Sequence, residues 1–126
     1  MHPRQILSCI LAALALAATA SAQVVNPTKL AWTASDHAIT TRYEVGYFLG
    51  TATSPVQTAS IPVASTTPVG AEYQAALPRP VLGAFTAKMK ACGTAVPSGE
   101  VCSEWSNATE GFTLSPRATA GVRLVP

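Results

Sequence analysis

Beyond residue 22 the chain is punctuated by Pro27, Pro55, Pro62, Pro68, Pro78, Pro80, Pro97, Pro116 and Pro126. Proline has no backbone donor and a fixed φ, so it breaks a helix interior and is tolerated in a sheet only at an edge, a strand start or a bulge. The spacing leaves few windows for a stable helix, and the Val, Thr, Tyr and Phe residues between the prolines favour short strands. The chain is expected to be all-β.

Period-two alternation places those strands. Thr28 to Ala34 puts Leu30 and Trp32 on one side and Lys29, Ala31 and Thr33 on the other. From Ile39 to Leu49, Thr41, Tyr43, Val45, Tyr47 and Leu49 are expected inside, with Arg42, Glu44, Gly46 and Phe48 on the wet face and both tyrosine hydroxyls hydrated at the layer's edge. Val56 to Ala64 reads as an edge strand interrupted at Pro62, Thr66 to Gly70 as a turn, and Ala71 to Leu77 as a half-buried strand. Phe85, Ala87, Met89 and Ala91 share the core parity, leaving Thr86, Lys88, Lys90 and Cys92 outside, and a following strand carries Trp105 and reaches Leu114 with a break at Glu110-Gly111. No repeat or low-complexity linker divides the chain, so one two-layer sandwich buries these faces.

Residues 1–22 read as a cleaved secretory signal: His2 and Arg4, an apolar run from Ile6 to Ala18, and the small residues Ala20-Ser21-Ala22. The run is short of the roughly 20 residues that span a bilayer, so no stable transmembrane anchor is expected after cleavage. Cys9 leaves with the signal, and Cys92 and Cys102 remain as an even pair in an oxidising compartment, read as a disulfide. The expected product is secreted, extracellular or cell-surface associated, or periplasmic, with residues 23–114 forming the sandwich and 115–126 a tail or additional strand. Its charges nearly balance, which argues against nucleic acid as a partner.

Leu30-Ala31-Trp32, Ile39 through Tyr47, Leu77-Pro78, Phe85 through Cys92 and Ser103 through Ser106 together resemble a fibronectin type III module over residues 27–114. The resemblance implies a fibronectin type III-like, immunoglobulin-like β-sandwich of seven Greek-key strands, with Trp32 on the second, Tyr43 and Val45 on the third and Phe85 to Cys92 on the sixth. It implies a binding or structural role. Three departures stand out. After the expected cleavage only Gln23 to Asn26 precede Pro27, so the family's first strand is abbreviated or replaced by part of Arg117 to Pro126. Phe85 sits where the family often has a corner tyrosine, so packing or another polar group must hold that connection. Cys102-Ser103-Glu104-Trp105-Ser106 resembles the latter part of the Trp-Ser-x-Trp-Ser signature of cytokine-receptor modules, with Cys102 at the first aromatic position and Lys88 or Lys90 available to cover Trp105.

Nothing in the pattern of reactive residues predicts an enzyme or a cofactor. Ser35-Asp36-His37 is contiguous, and contiguity does not build a catalytic relay. The glutamates are dispersed and the glycines form no phosphate loop. Asn107-Ala108-Thr109 is a glycosylation sequon. The expected recognition loop is Gly93, Thr94, Ala95, Val96, Pro97, Ser98, Gly99, Glu100 and Val101, closed by the flanking cysteines, with further loops at Ser35 to Ala38 and Gly50 to Val56. The reading is a secreted or surface-associated binding and adhesion module without catalysis. Its partner is an extracellular protein or another copy of the chain, with a glycan as a further candidate. The alternative is an extracellular structural subunit assembling by β-strand addition, because Ala118, Ala120, Val122 and Leu124 alternate along the tail and suit a sheet of its own chain or a neighbour's.

Overall fold

The computed structural model describes residues 24–126; the segment expected to be a signal, residues 1–22, and Gln23 lie outside the described residues. Nine strands form among the described residues: β1 (Val24–Val25), β2 (Lys29–Trp32), β3 (Arg42–Phe48), β4 (Gln57–Pro62), β5 (Thr67–Val69), β6 (Glu72–Ala76), β7 (Gly83–Thr94), β8 (Glu100–Cys102) and β9 (Phe112–Leu114). Single 3-10 turns at His37–Ile39 and Val63–Ser65 are the helical pieces among the described residues, and none of these is long and apolar enough to cross a membrane.

One sheet has the order β1-β9-β7-β3-β4, with β8 also on β7; the other has the order β2-β6-β5. Only β1 with β9 is parallel. The sheets close over one core of Tyr43, Val45, Tyr47, Ile61, Ala75, Leu77, Phe85, Ala87, Phe112 and Leu114, with Leu30, Trp32, Ala34 and Met89 packed at its margin. The protein is an all-β sandwich. The proline constraint is visible in its edges: Pro62 ends β4 and Pro68 sits in β5, both at sheet margins where a missing donor breaks no ladder.

Strand directions define two ends. β2, β4 and β7 run toward an upper end that holds the His37–Ile39 turn and the Ala95–Gly99 hairpin tip; β1, β3, β6 and β9 run toward a lower end. At the lower end Asn26, at a positive φ of 50°, donates its backbone N–H to the Thr113 carbonyl at 2.8 Å, and its side-chain oxygen accepts from Ser115 N–H at 2.9 Å and from Arg79 at 3.1 Å. Arg79 also donates to the Ser115 carbonyl at 2.6 Å. This clamp joins the β1–β2 turn, the β6–β7 connection and the end of β9.

Several expectations need correction. Thr67–Val69 is a strand, because it pairs with β6, where a turn was expected. Leu49 continues the inward parity of β3 yet is 50% exposed, because β3 ends at Phe48. Phe48, assigned to the wet face, is fully buried there under Trp105. Cys92 does lie on the outer face, in register with Arg42, but it is 1% exposed. Cys102 on β8 crosses to it, and the Arg42–Glu100 pair adds neighbouring cover. The tyrosine hydroxyls are bonded rather than hydrated: Tyr43 meets His37 Nδ1 at 2.6 Å, and Tyr47 donates to the Pro78 carbonyl. Tyr47 is thus the polar group that ties the connection ahead of Phe85, and burial pushes its phenol up to about 12.

Candidate functional site

The segment joining β8 to β9 was expected to be a strand and is instead a three-residue repeat. Ser103, Ser106 and Thr109 donate their backbone N–H groups to the carbonyls of Ala91, Met89 and Ala87 at 2.8, 2.9 and 2.9 Å. Their hydroxyl oxygens accept the N–H groups of the same three residues, each at 3.0 Å. The hydroxyls then donate to the carbonyls of Glu104, Asn107 and Glu110 at 3.0, 2.8 and 2.8 Å. Three residues of this segment therefore match two of β7. Two strand residues advance about 6.6 Å, so the segment rises only about 2.2 Å per residue and is coiled too tightly for a ladder. Hydroxyls replace the carbonyls a regular strand would offer, and every β7 donor on that side stays bonded. A hydroxyl residue every third position is legible in Ser103-Glu104-Trp105-Ser106-Asn107-Ala108-Thr109, but alternation reasoning passes over it.

The coil throws Trp105 back over the outer face of the large sheet. Its ring meets Phe48 edge-on at 5.4 Å, Lys90 Nζ lies 4.3 Å from its centroid, and Lys88 Nζ lies 4.8 Å from the Phe48 centroid. The quadrupole of each ring attracts the ammonium above it. Room for the stack comes from Gly46: a Cβ there would stand 2.8 Å from both Phe48 Cε1 and Trp105 Cη2. Lys88 and Lys90 are in this way held to aromatic rings rather than free on the surface.

The same coil forms one wall of a groove of about 550 Å³ on the side of the sandwich. The opposite wall is β2 and its continuation to Asp36. Among the described residues β2 ends its sheet and pairs only with β6, so its other edge carries no described strand. The floor is Leu30, Trp32, Tyr43 and Met89, and the rim carries Asp36, Glu72, Glu104 and Asn107. Trp32 Nε1 is buried without an acceptor among the described residues. The first strand does not lie here: β1 is two residues long and pairs with β9. It lies at the lower end, where Val24 and Pro27 line a second, smaller cavity of about 100 Å³ with Leu30, Glu110 and Phe112.

The expected recognition loop is smaller than nine residues. Gly93 and Thr94 belong to β7, and Glu100 and Val101 to β8, leaving Ala95, Val96, Pro97, Ser98 and Gly99 as the tip. Ala95 N–H donates to the Gly99 carbonyl at 2.8 Å and the Val96–Pro97 peptide is cis. Below the tip, Cys92 and Cys102 are direct cross-strand partners joined by the disulfide. Arg42 grips Glu100 through two bonds of 2.9 and 2.7 Å, which hold the glutamate carboxyl below its ordinary range and the guanidinium above its own. Gly93 lets the Ile39 backbone approach: a Cβ would lie 2.6 Å from the Ile39 carbonyl oxygen. Val96 projects from this braced hairpin at 96% exposure. Ser35 to Ala38 lies at the same upper end, whereas Gly50 to Val56 lies at the lower one, so the three loops do not form one surface.

The remaining sequence candidates fall around these two features. His37 stacks on Tyr73 at 3.7 Å and bonds to Tyr43, and no hydrogen bond among the described residues links it to Ser35 or to the Asp36 carboxyl. Glu44 gathers beside Cys92 and Cys102, but both sulfurs are spent in the disulfide and offer no thiolate. Asn107 is exposed on the groove rim, and the hydroxyl of Thr109 in its sequon is engaged with Ala87 and Glu110. Comparisons with family models, curated proteins and solved structures return no match to this chain.

Proposed function

We propose that this chain is an exported, non-catalytic binding module on a fibronectin type III-like frame, and that its side groove takes an extended polypeptide as an added strand. One observation carries the reading: the edge of β2 that carries no described strand borders an apolar-floored groove of about 550 Å³. An unpaired edge offers backbone donors and acceptors for affinity, and the pockets beneath it select alternate side chains. Export rests on the signal-like residues 1–22 and agrees with the Cys92–Cys102 bond.

The test is a selection of random dodecapeptides on the folded protein, followed by amide exchange. Selected peptides are expected to slow exchange along Lys29–Trp32 and to shift the emission of Trp32. A protein that retains no peptide, or retains peptides that leave those amides unchanged, does not use the groove. The exposed Val96 on its braced tip favours a second reading, adhesion through the hairpin. Replacing Ala95 to Gly99 while keeping both cysteines is expected to abolish capture of such a partner. Equal capture by both folded proteins removes the tip as its principal site.

A further inference from the structure

Residues 116–126 supply an apolar strand that their own fold leaves unused. Ala118, Ala120, Val122 and Leu124 share one parity, and Arg117, Thr119, Gly121, Arg123 and Val125 the other. No strand forms beyond Leu114, and Val122 and Leu124 are 85% and 97% exposed. Both side chains leave apolar surface in water that pairing against an apolar floor would bury. Resting on the groove reading above, we propose that the occupant is residues 116–126 of a second copy of this chain, inserted antiparallel to β2.

Direction decides between the chain's own tail and a neighbour's. β9 runs to the lower end, and its exit at Ser115 is pinned by Asn26 and Arg79. The tail therefore leaves downward. To enter its own groove it would have to reverse and run upward, parallel to β2, whereas the sheet containing β2 is antiparallel throughout. A tail that continues straight enters the upper end of the next molecule's groove and runs antiparallel to its β2 without a reversal. Antiparallel pairing is also the slightly stronger ladder.

Length and charge agree with this placement. At about 3.3 Å per residue the tail reaches about 36 Å, enough to run past the whole of β2, whose 4 residues span about 13 Å. Small Ala118 and Ala120 enter first, and Val122 and Leu124 follow toward Leu30. Arg117 then meets Asp36 and Glu104 at the entrance, and Arg123 meets Glu110 at the exit, where all three acids are exposed. The tail itself has no acidic residue. Each copy gives at its lower end and receives at its side, so the contact is heterologous and propagates as an open head-to-tail chain.

Size measurement over a concentration series, with the full exported chain, tests the inference. The wild type is expected to grow with concentration. The double variant Val122→Asp, Leu124→Asp is expected to associate roughly 100-fold more weakly, the loss when two aliphatic side chains stay in water. Because both positions are exposed in the single chain, its fold and thermal transition are expected to be unchanged, and Thr119→Asp, on the other parity, is expected to assemble better than the double variant. A short bismaleimide is expected to join a Ser35→Cys chain to an Ala118→Cys chain. A wild type that stays monomeric, or a chain with both cysteines that links only to itself when mixed with wild type, overturns the proposal. Finally, a chain ending at Ser115 is offered a synthetic peptide of residues 116–126. If selected dodecapeptides protect Lys29–Trp32 and this peptide does not, the occupant is wrong and the groove reading stands; if neither protects it, both fall.

Discussion

Gly46 shows how much one missing methyl group permits. Its position lets the Trp105 ring lie on the sheet and bury Phe48, so a side chain there must displace two rings rather than a flexible tip. Gly46→Val is expected to cost about 1–3 kcal/mol, as overpacking does, and to move Trp105 emission to the red; urea unfolding followed by fluorescence checks both. Glu100 offers a second single-residue test. Its carboxyl is held below its ordinary range first by the hydrogen bonds from Arg42 and then by the guanidinium charge, so its contribution to stability is present above the unfolded carboxylate pKa near ~4.3 and is lost as pH falls through the lower folded value. Protection of the amides in Ala95 to Gly99, taken relative to the intrinsic exchange rate at each pH, is expected to fall on acidification in the wild type. In Glu100→Gln the tip is expected to be looser already at neutral pH, with a smaller change on acidification.

At the scale of elements, the hydroxyl repeat does the work of an edge strand without being one. Ser103, Ser106 and Thr109 each use N–H and hydroxyl together, so removing one hydroxyl leaves a β7 amide to find water. Ser106→Ala is expected to cost about 1 kcal/mol, the ordinary net worth of such a bond at an accessible site. Replacing all three by alanine is expected to free the amides of Ala87, Met89 and Ala91 to exchange and to release Trp105 from Lys90. Asn107→Ala, one position from Ser106 but outside the repeat, is expected to change neither. Amide exchange on the four proteins distinguishes a register device from a run of merely polar residues.

For the whole molecule, stability and the proposed groove binding rest on different features. The disulfide closes a short loop, its cysteines 10 residues apart, and braces one end of the large sheet. Replacing both cysteines by alanine is expected to lower stability by about 2–3 kcal/mol while the β-sandwich remains, as measured by denaturant unfolding with and without the bond. Since the hairpin lies at the upper end beside the groove's entrance and not in its floor, this loss should leave peptide binding along β2 in place. Opposite behaviour, in which groove binding fails while the sandwich stays folded, would tie the hairpin to recognition.

Much of this architecture is local and was therefore legible in the chain. Prolines exclude helices by their own covalent geometry, and the period of two in Tyr43-Glu44-Val45-Gly46-Tyr47 assigns inner and outer faces before any partner is known. The outward parity of Cys92 could be read in the same way. Other features depend on what packs against a residue from far along the chain. The burial of Phe48 depends on Trp105, the bond from the Tyr47 hydroxyl on Pro78, and the coil at Ser103 to Thr109 on its register with β7. Even the groove follows from a choice between edges: Val24 and Val25 pair with β9 and leave β2 open, and no alternation pattern within two residues can state which edge they take, because that is decided by the hydrogen bonds and contacts they find across the sandwich.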